Sequence, residues 1–454
     1  MAFTSLNPAT GELLQTFEVW DDASIEQVLS AAASAATFWR TVPLSERCRL
    51  LRQAGEVLRA RREEFAGLVT LEMGKLYRES LAEVDKCALV CDYYAEQAPA
   101  FLADEVIESD AGRSLVAYQP LGTVLAVMPW NFPLWQVMRF AAPALAAGNT
   151  GLLKHASNVP QCAMALESVF TEAGFPEGVF TNLMIASSQV EAVIRDPRVH
   201  AVTLTGSEPA GRAVASTAAQ ELKKSVLELG GSDAFVVLED ADMDLTLEQG
   251  MISRFLNAGQ SCIAAKRFIL VDAIADEFVA QFAERVSAMK VGGPSDESSA
   301  LGPMAREDLR EELHQQVQDS IQAGATAVTG CAPLPGPGAF YAPSIIDHVQ
   351  PGMRAWDEEL FGPVAIVIRA RDEEEALRIA NGSRFGLGGS VWTANAERGE
   401  AFARRMECGC AFVNGLVKSD PRLPFGGIKA SGFGRELSHH GMYEFLNVKT
   451  IWVR

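Results

Sequence analysis

Apolar residues set the rhythm of this chain, and the rhythm changes along it. Near the N-terminus, Asn7 to Glu12 reads as a turn between short extended pieces. Ser24 to Trp39 follows with helical spacing and an Ala-rich composition, and Ser24 is placed as its cap. Ser45 to Glu72 and Ser80 to Ala98 carry the same period. The texture then shifts to short, solidly apolar runs. Gly122 to Met128 stops at Pro129, and Gly151 to Lys154, Asn182 to Ala186, Ala201 to Thr205 and Ala234 to Leu238 follow, with helical stretches between several of them. Continuous apolar strands alternating with helices predict a buried parallel sheet covered on both faces, an α/β fold. A second alternating region begins near Met251, with strands expected at Arg267 to Val271, Val364 to Ile368, Gly389 to Thr393 and Ala411 to Val413. Pro333 to Phe340 reads as a surface loop. Ser114 to Tyr118 and Val448 to Val453 are strand-like but belong to neither sheet, a pattern that often marks pairing across a subunit boundary.

Composition narrows the class. A chain of 454 residues is too long for one ordinary core and points to two or three domains. Hydrophobic residues at 48% with charged residues at 21% describe a folded globular protein. The net charge of −19 argues against nucleic acid or an anionic membrane as partner. No apolar run reaches the ~18 residues that a membrane span needs. Met1 to Pro8 lacks the basic stretch and apolar core of a signal peptide. The eight cysteines are scattered, and a reducing cytoplasm is the expected setting. Cys408-Gly409-Cys410 brings two sulfurs together, but no histidine clusters with them, so no metal site is expected.

Three local contexts carry chemistry. Cys262 ends the octet Phe255-Leu256-Asn257-Ala258-Gly259-Gln260-Ser261-Cys262. Upstream stand Pro129-Trp130-Asn131-Phe132-Pro133 and Glu228-Leu229-Gly230-Gly231. Singly, each residue has a bland reading: a small buried hydrophobe, a turn residue, a solvated carboxylate. Together they are the parts for oxidising an aldehyde through a thioester. A thiolate attacks the carbonyl. An Asn amide and a backbone N–H donate to the oxyanion. A carboxylate of raised pKa activates water for release of the acid. No G-x-G-x-x-G occurs; the strand Ala201 to Thr205 leads instead into Gly206-Ser207-Glu208-Pro209-Ala210-Gly211. That turn can hold a pyrophosphate through backbone N–H groups or serve only as a strand-to-helix turn. Glu359 and Phe361, two apart in Glu358-Glu359-Leu360-Phe361-Gly362-Pro363, can meet a ribose or form a charged loop. Lys154 ends a strand, where a snorkelling lysine is the bland alternative.

Over essentially its whole length the chain resembles the aldehyde dehydrogenase superfamily. The matching motifs are Pro129 to Pro133, Lys154, Thr205-Gly206-Ser207, Glu228 to Gly231, the Cys262 octet, Glu359 to Pro363, and Pro424-Phe425-Gly426-Gly427 with Lys429, Ser431 and Gly432. Within it, Met128 to Arg139 and Phe433 to His439 most resemble the short bacterial NAD(P)-using succinate-semialdehyde dehydrogenases. The resemblance implies a Rossmann-like cofactor domain (1–102 and 121–229), an α/β catalytic domain (230–436) and a small β arm for oligomerisation (103–120 and 437–454). It implies a homodimer or homotetramer acting on a small-molecule aldehyde.

Residue by residue, the resemblance makes Cys262 the nucleophile, Asn131 the oxyanion donor and Glu228 the base for deacylation. Trp130, Gly206 and Ser207 would meet the pyrophosphate, Lys154 the adenosine ribose, Glu359 the nicotinamide ribose, and Phe361 the nicotinamide. NAD-selective members tend to carry Glu where this chain has Ser157; its absence removes a charge that would repel a 2′-phosphate. NADP is therefore expected, with NAD as the alternative. For the substrate, Arg139 stands where dedicated members hold the distal carboxylate, with Ser419 and Trp135 beside it. A second arginine found in some members is Leu256 here. Arg139 keeps the alternative of a structural ion pair. A broad aliphatic aldehyde dehydrogenase, with Leu256, Trp135 and Phe140 lining an apolar tunnel, is the competing enzyme reading. A non-catalytic protein on the same fold is the reading from another class; the intact set Cys262, Asn131, Glu228 and Glu359 argues against it.

Overall fold

In the computed structural model, which describes residues 2–454, both expected sheets form. The first has six strands in the order Gly432–Phe433, Lys224–Glu228, Val199–Thr205, Thr123–Met128, Thr150–His155 and Phe180–Asn182. All neighbours run parallel except the short Gly432–Phe433 edge. Strands buried on both faces need no polar alternation, which is why these segments read as solid apolar runs. Lys224–Glu228 escaped the sequence reading because only Val226 and Leu227 are apolar between charged ends.

The second sheet has seven strands: Thr326–Thr329, Ser344–Asp347, Val364–Ala370, Ala265–Val271, Asp233–Val237, Gly388–Trp392 and Cys410–Val413. Ala234 to Leu238, which the apolar pattern ran on with the first region while the resemblance placed 230–436 in the second domain, lies near the middle of this sheet, between Ala265–Val271 and Gly388–Trp392. Packing explains the placement. Phe235 sits with its ring centroid 4.9 Å from those of both Phe268 and Trp392, and all three are fully buried. The chain thus crosses between sheets in the short link after Glu228. That link carries Gly230 and Gly231, and a Cβ at Gly231 would lie 2.7 Å from the Cys262 carbonyl oxygen.

The two unattached segments pair with each other. Arg113–Pro120 and Leu446–Val453 run antiparallel, with Val116 opposite Thr450, and Glu105–Ile107 adds a third strand. Val106 is 69% exposed and Val448 59%, so this sheet leaves apolar surface uncovered. At the N-terminus, Ala2–Leu6 and Leu13–Glu18 form a hairpin around the expected turn. The first helix is Asp22–Trp39, and its cap is Asp21, whose carboxylate accepts the Ser24 N–H at 2.9 Å. The long helix expected over Ser45 to Glu72 is broken at Arg61 into Leu44–Ala60 and Arg62–Met73. Arg61 there pairs with Glu64 and Glu172 and lies over the Phe65 ring. Among the described residues, no helix is long and apolar enough to cross a membrane.

Candidate active site

Cys262 is presented by a strained turn. Asn257 and Ala258 have φ of 57° and 52°, and Gly259 continues at 71°, so the chain doubles back after the helix Met243–Phe255. Side chains hold this turn shut. Arg254, fully buried, donates to the carbonyls of Gly259 at 2.6 Å and Gly362 at 2.7 Å. Lys266 donates to the carbonyls of Ser261 at 2.7 Å and Cys262 at 2.8 Å. The thiol itself is free, half-buried at the base of the site. Burial pushes it up to about 12, against the opposing pull of Arg139 and Lys266.

Asn131 lies just past the end of Thr123–Met128, where ligands bind in open parallel sheets. It is 4% exposed, and its amide donates to the Gln260 carbonyl at 3.1 Å. Asn257 returns a hydrogen bond to the Asn131 carbonyl at 2.8 Å. The Asn131 amide is thus fixed next to the turn that carries Cys262. Glu228 ends its strand 2% exposed, and neither carboxylate oxygen has a hydrogen-bond partner. Burial, then the nearby Glu436, holds it well above the usual carboxylate range. A Cβ at Gly426 would come within 2.6 Å of the Glu228 carboxylate, so the Phe425-Gly426-Gly427 motif makes room for this side chain.

One cleft of about 440 Å³ runs over the ends of the first sheet to Cys262. Trp130, Lys154, Gly206, Ser207, Glu359 and Phe361 are on its walls. Ser207 holds the N-cap position of the helix Glu208–Gln220 without a side-chain capping bond, and Gly206, Ser207 and Ala210 put that N-terminus on the cleft wall. Lys154 is half-buried, and burial lowers its pKa. Trp130 and Phe361 meet edge-on, centroids 5.7 Å apart. Glu359 accepts the Gly231 N–H at 3.1 Å and pairs with Lys266 at 3.0 Å. Ser157 stands exposed just beyond Lys154 and Ala156, both of which line the cleft.

A second chamber of about 120 Å³ reaches Cys262 from the other side. Trp135, Ser419, Arg139, Lys86, Phe132 and Leu256 are among its walls. An outer groove of about 540 Å³ shares Lys86, Phe132, Trp135, Ile252 and Leu256 with it. Here the geometry departs from the sequence expectation. Arg139 is 2% exposed and is already ion-paired with Glu436, itself 4% exposed. Its guanidinium also lies 4.8 Å from the Phe425 ring centroid and 3.4 Å from the Thr205 hydroxyl. Arg139 therefore has an internal anion, which the sequence alternative of a structural pair described. Phe140 does not line the tunnel; it packs edge-on against Phe445 in the core. Lys86, Glu436, Lys266 and Arg254 drew no attention in the sequence. Glu436 stood within a quoted motif without a role, and the others had no local signal.

The chain matches the aldehyde dehydrogenase family over residues 1–451, and it belongs to that family. It is 50% identical over 453 residues to a probable succinate-semialdehyde dehydrogenase [NADP(+)] of Synechocystis sp., with 100% of each chain covered. It is 48% identical over 457 residues to a succinate-semialdehyde dehydrogenase [NADP(+)] of Mycobacterium avium, covering 100% of this chain and 97% of the relative. The crystal structure of succinic semialdehyde dehydrogenase from Streptococcus pyogenes, in complex with NADP+ as the cofactor, superposes with a TM-score of 0.98. It is 40% identical, with 100% of each chain covered. The fold and the aldehyde-oxidising class expected from sequence are thus established.

Proposed function

We propose that this protein oxidises succinate semialdehyde to succinate, with NADP as electron acceptor, through a thioester on Cys262. The observation that carries the reading is that Cys262 lies on the walls of both cavities, one furnished for a dinucleotide and one for a short aldehyde. The cofactor cleft fits the group by its donor set. A helix N-terminus at Ser207 suits a pyrophosphate, and Lys154 and Glu359 suit ribose hydroxyls. Ser157 places a hydroxyl rather than a carboxylate near where a 2′-phosphate would lie, which supports NADP. When bound, the cofactor supplies a hydride acceptor.

The chain's own residues do the rest. The Cys262 thiol gives up its proton to water in the cleft, and its sulfur bonds to the aldehyde carbon as the carbonyl pair moves onto oxygen. The oxyanion takes hydrogen bonds from the Asn131 amide and the Cys262 backbone N–H. After oxidation, Glu228 takes a proton from water, whose oxygen displaces the sulfur and releases the acid. A base kept above the usual carboxylate range is better matched to this proton transfer than an ordinary surface Glu.

The two sheets support the division into 1–102 with 121–229 and 230–436, and the exposed three-stranded sheet supports an arm over 103–120 and 437–454 that joins subunits of a cytoplasmic homo-oligomer. A second reading, a broad aliphatic aldehyde dehydrogenase, is favoured by the apolar outer groove, lined by Ile252, Phe255 and Leu256. The test is a kcat/KM panel with succinate semialdehyde, butanal and hexanal, each with NADP and NAD. The proposal expects the acid to exceed butanal by at least about tenfold and NADP to exceed NAD. Hexanal ahead of the acid would transfer the function to the second reading.

A further inference from the structure

The chamber must offer a cation to any ω-carboxy aldehyde, since a carboxylate loses its water on entering. The cations near it are differently employed. Arg139 is paired with the buried Glu436. Lys75, in the outer groove, is paired with the buried Glu83. Arg78 donates to the Ser299 carbonyl at 2.8 Å. Lys86, on the helix Tyr77–Phe101, differs from all of these. It is half-buried and lines both the inner chamber and the outer groove. Among the described residues its ammonium meets no carboxylate at ion-pair distance. It donates to the Ser419 hydroxyl at 2.7 Å and lies 4.2 Å from the Trp135 ring centroid. The Trp135 indole N–H donates to the same hydroxyl at 3.1 Å.

This is a built arrangement. Ser419 accepts from both Lys86 and Trp135, so its own proton is left to point elsewhere. Trp135 is itself fixed, because Glu83 accepts the backbone N–H of Leu134 at 2.9 Å and of Trp135 at 3.0 Å. The result is an ammonium, a hydroxyl and an aromatic face on the wall of a small cavity that ends at Cys262. The chamber of about 120 Å³ is well below the ~300 Å³ at which drug-sized pockets begin, so it suits a chain of a few carbons.

We propose that Lys86, held by Ser419 and Trp135 where the chamber meets the groove, receives the distal carboxylate of the substrate. This rests on the function proposed above and assigns its specificity to a residue other than Arg139. The carboxylate accepts from the Lys86 ammonium and from the Ser419 hydroxyl, which turns its proton toward it. Burial lowers the Lys86 ammonium to about 8, with Arg139 adding to the effect. The titratable groups around it are Arg78, Glu79, Glu83 and Cys87 on its own helix, Lys75 just before it, Arg139 on the helix Trp135–Ala146, Cys262 at the end of the chamber, and Lys418 and Asp420 on the segment that carries Ser419; burial raises Glu79 to about 7. Asp420 is occupied by Arg422, and Lys418 is exposed. The stretch around Ile252 and Leu256 brings no titratable group to the chamber.

The experiment compares kcat/KM for succinate semialdehyde and for butanal, an uncharged aldehyde of equal length, with NADP. It uses the full-length wild type, Lys86→Met, Lys86→Arg and Lys418→Gln. In Lys86→Met the acid-to-butanal ratio should fall by about thirtyfold or more, chiefly through KM for the acid. Lys86→Arg should recover most of the ratio, and Lys418→Gln should hold it within about threefold. In the wild type the ratio should decline as pH rises through about 8, where the ammonium loses its charge, and in Lys86→Arg it should stay flat. Equal losses for both aldehydes in Lys86→Met, an unchanged ratio, or a selective loss in Lys418→Gln would each overturn the assignment. A wild type that does not prefer the acid would instead remove the proposed function, and this inference with it.

Discussion

Replacing Arg139 by Met tests how the interior of the site is wired. In the folded protein Arg139 and Glu436 form an ion pair with both partners almost fully buried. Glu228 lies close enough for Glu436 to raise its pKa further. Removing the guanidinium leaves Glu436 without its cation in a dry site beside a second carboxyl. Breaking a buried pair at one end costs about 3–5 kcal/mol, because the stranded charge has no water to return to. Methionine fills much of the volume over Phe425, so cavity formation adds little to that figure. The variant should therefore lose stability on this scale, and its kcat/KM should fall by similar factors for succinate semialdehyde and butanal. Adding Glu436→Gln should return most of the lost stability, since it removes the stranded charge. The assays are chemical denaturation of the wild type, both single variants and the double variant, with kinetics on both aldehydes. A variant of unchanged stability that loses only the acid substrate would refute this reasoning and return Arg139 to the substrate's carboxylate.

Two further outcomes follow from the site. Ser157→Glu should move the NADP-to-NAD ratio of kcat/KM toward NAD, mainly by weakening NADP; an unchanged ratio would mean that this exposed residue does not meet the 2′ position. Glu228→Gln should alter the pH dependence of stability. The folded pKa of Glu228 lies above its ordinary 4.5, so the native state holds a proton that the unfolded chain has released, and stability falls as pH rises from 4.5 through the folded value. Glutamine cannot ionise, so the variant should lose less Tm than the wild type as pH rises above 4.5. Parallel Tm profiles would show that Glu228 ionises without penalty.

Much of this architecture was legible in the sequence, and the reasons differ by element. Strands such as Thr123–Met128 and Val199–Thr205 are buried on both faces, and their apolar runs announce it. Cys262, Asn131 and Glu228 stood out because each sits in a local motif of the resemblance, and the fold brings Cys262, Asn131 and Glu228 to the walls of one cleft. Lys224–Glu228 was missed because charged residues end a strand whose middle alone is apolar. The assignment of Asp233–Val237 to the second sheet depends on its neighbours at Ala265–Val271 and Gly388–Trp392, which no local pattern encodes. The same holds for Lys86. On the helix it is one polar position among several, and only the fold brings it against Ser419, far away in sequence. Arg139 shows the converse. The resemblance pointed it to a substrate's carboxylate, while its pairing with Glu436 is a tertiary fact.

The central claim, a thioester on Cys262 formed from an ω-carboxy aldehyde, is tested most directly by trapping it. Glu228→Gln removes the base for deacylation, which should slow release by about a hundredfold or more. Mixed with NADP and succinate semialdehyde, this variant should give a burst of NADPH close to one per active site and then stall. Intact-protein mass spectrometry of the stalled enzyme should show one added succinyl group, and peptide mapping should place it on Cys262. A burst without an adduct, or an adduct on any other residue, would contradict the account.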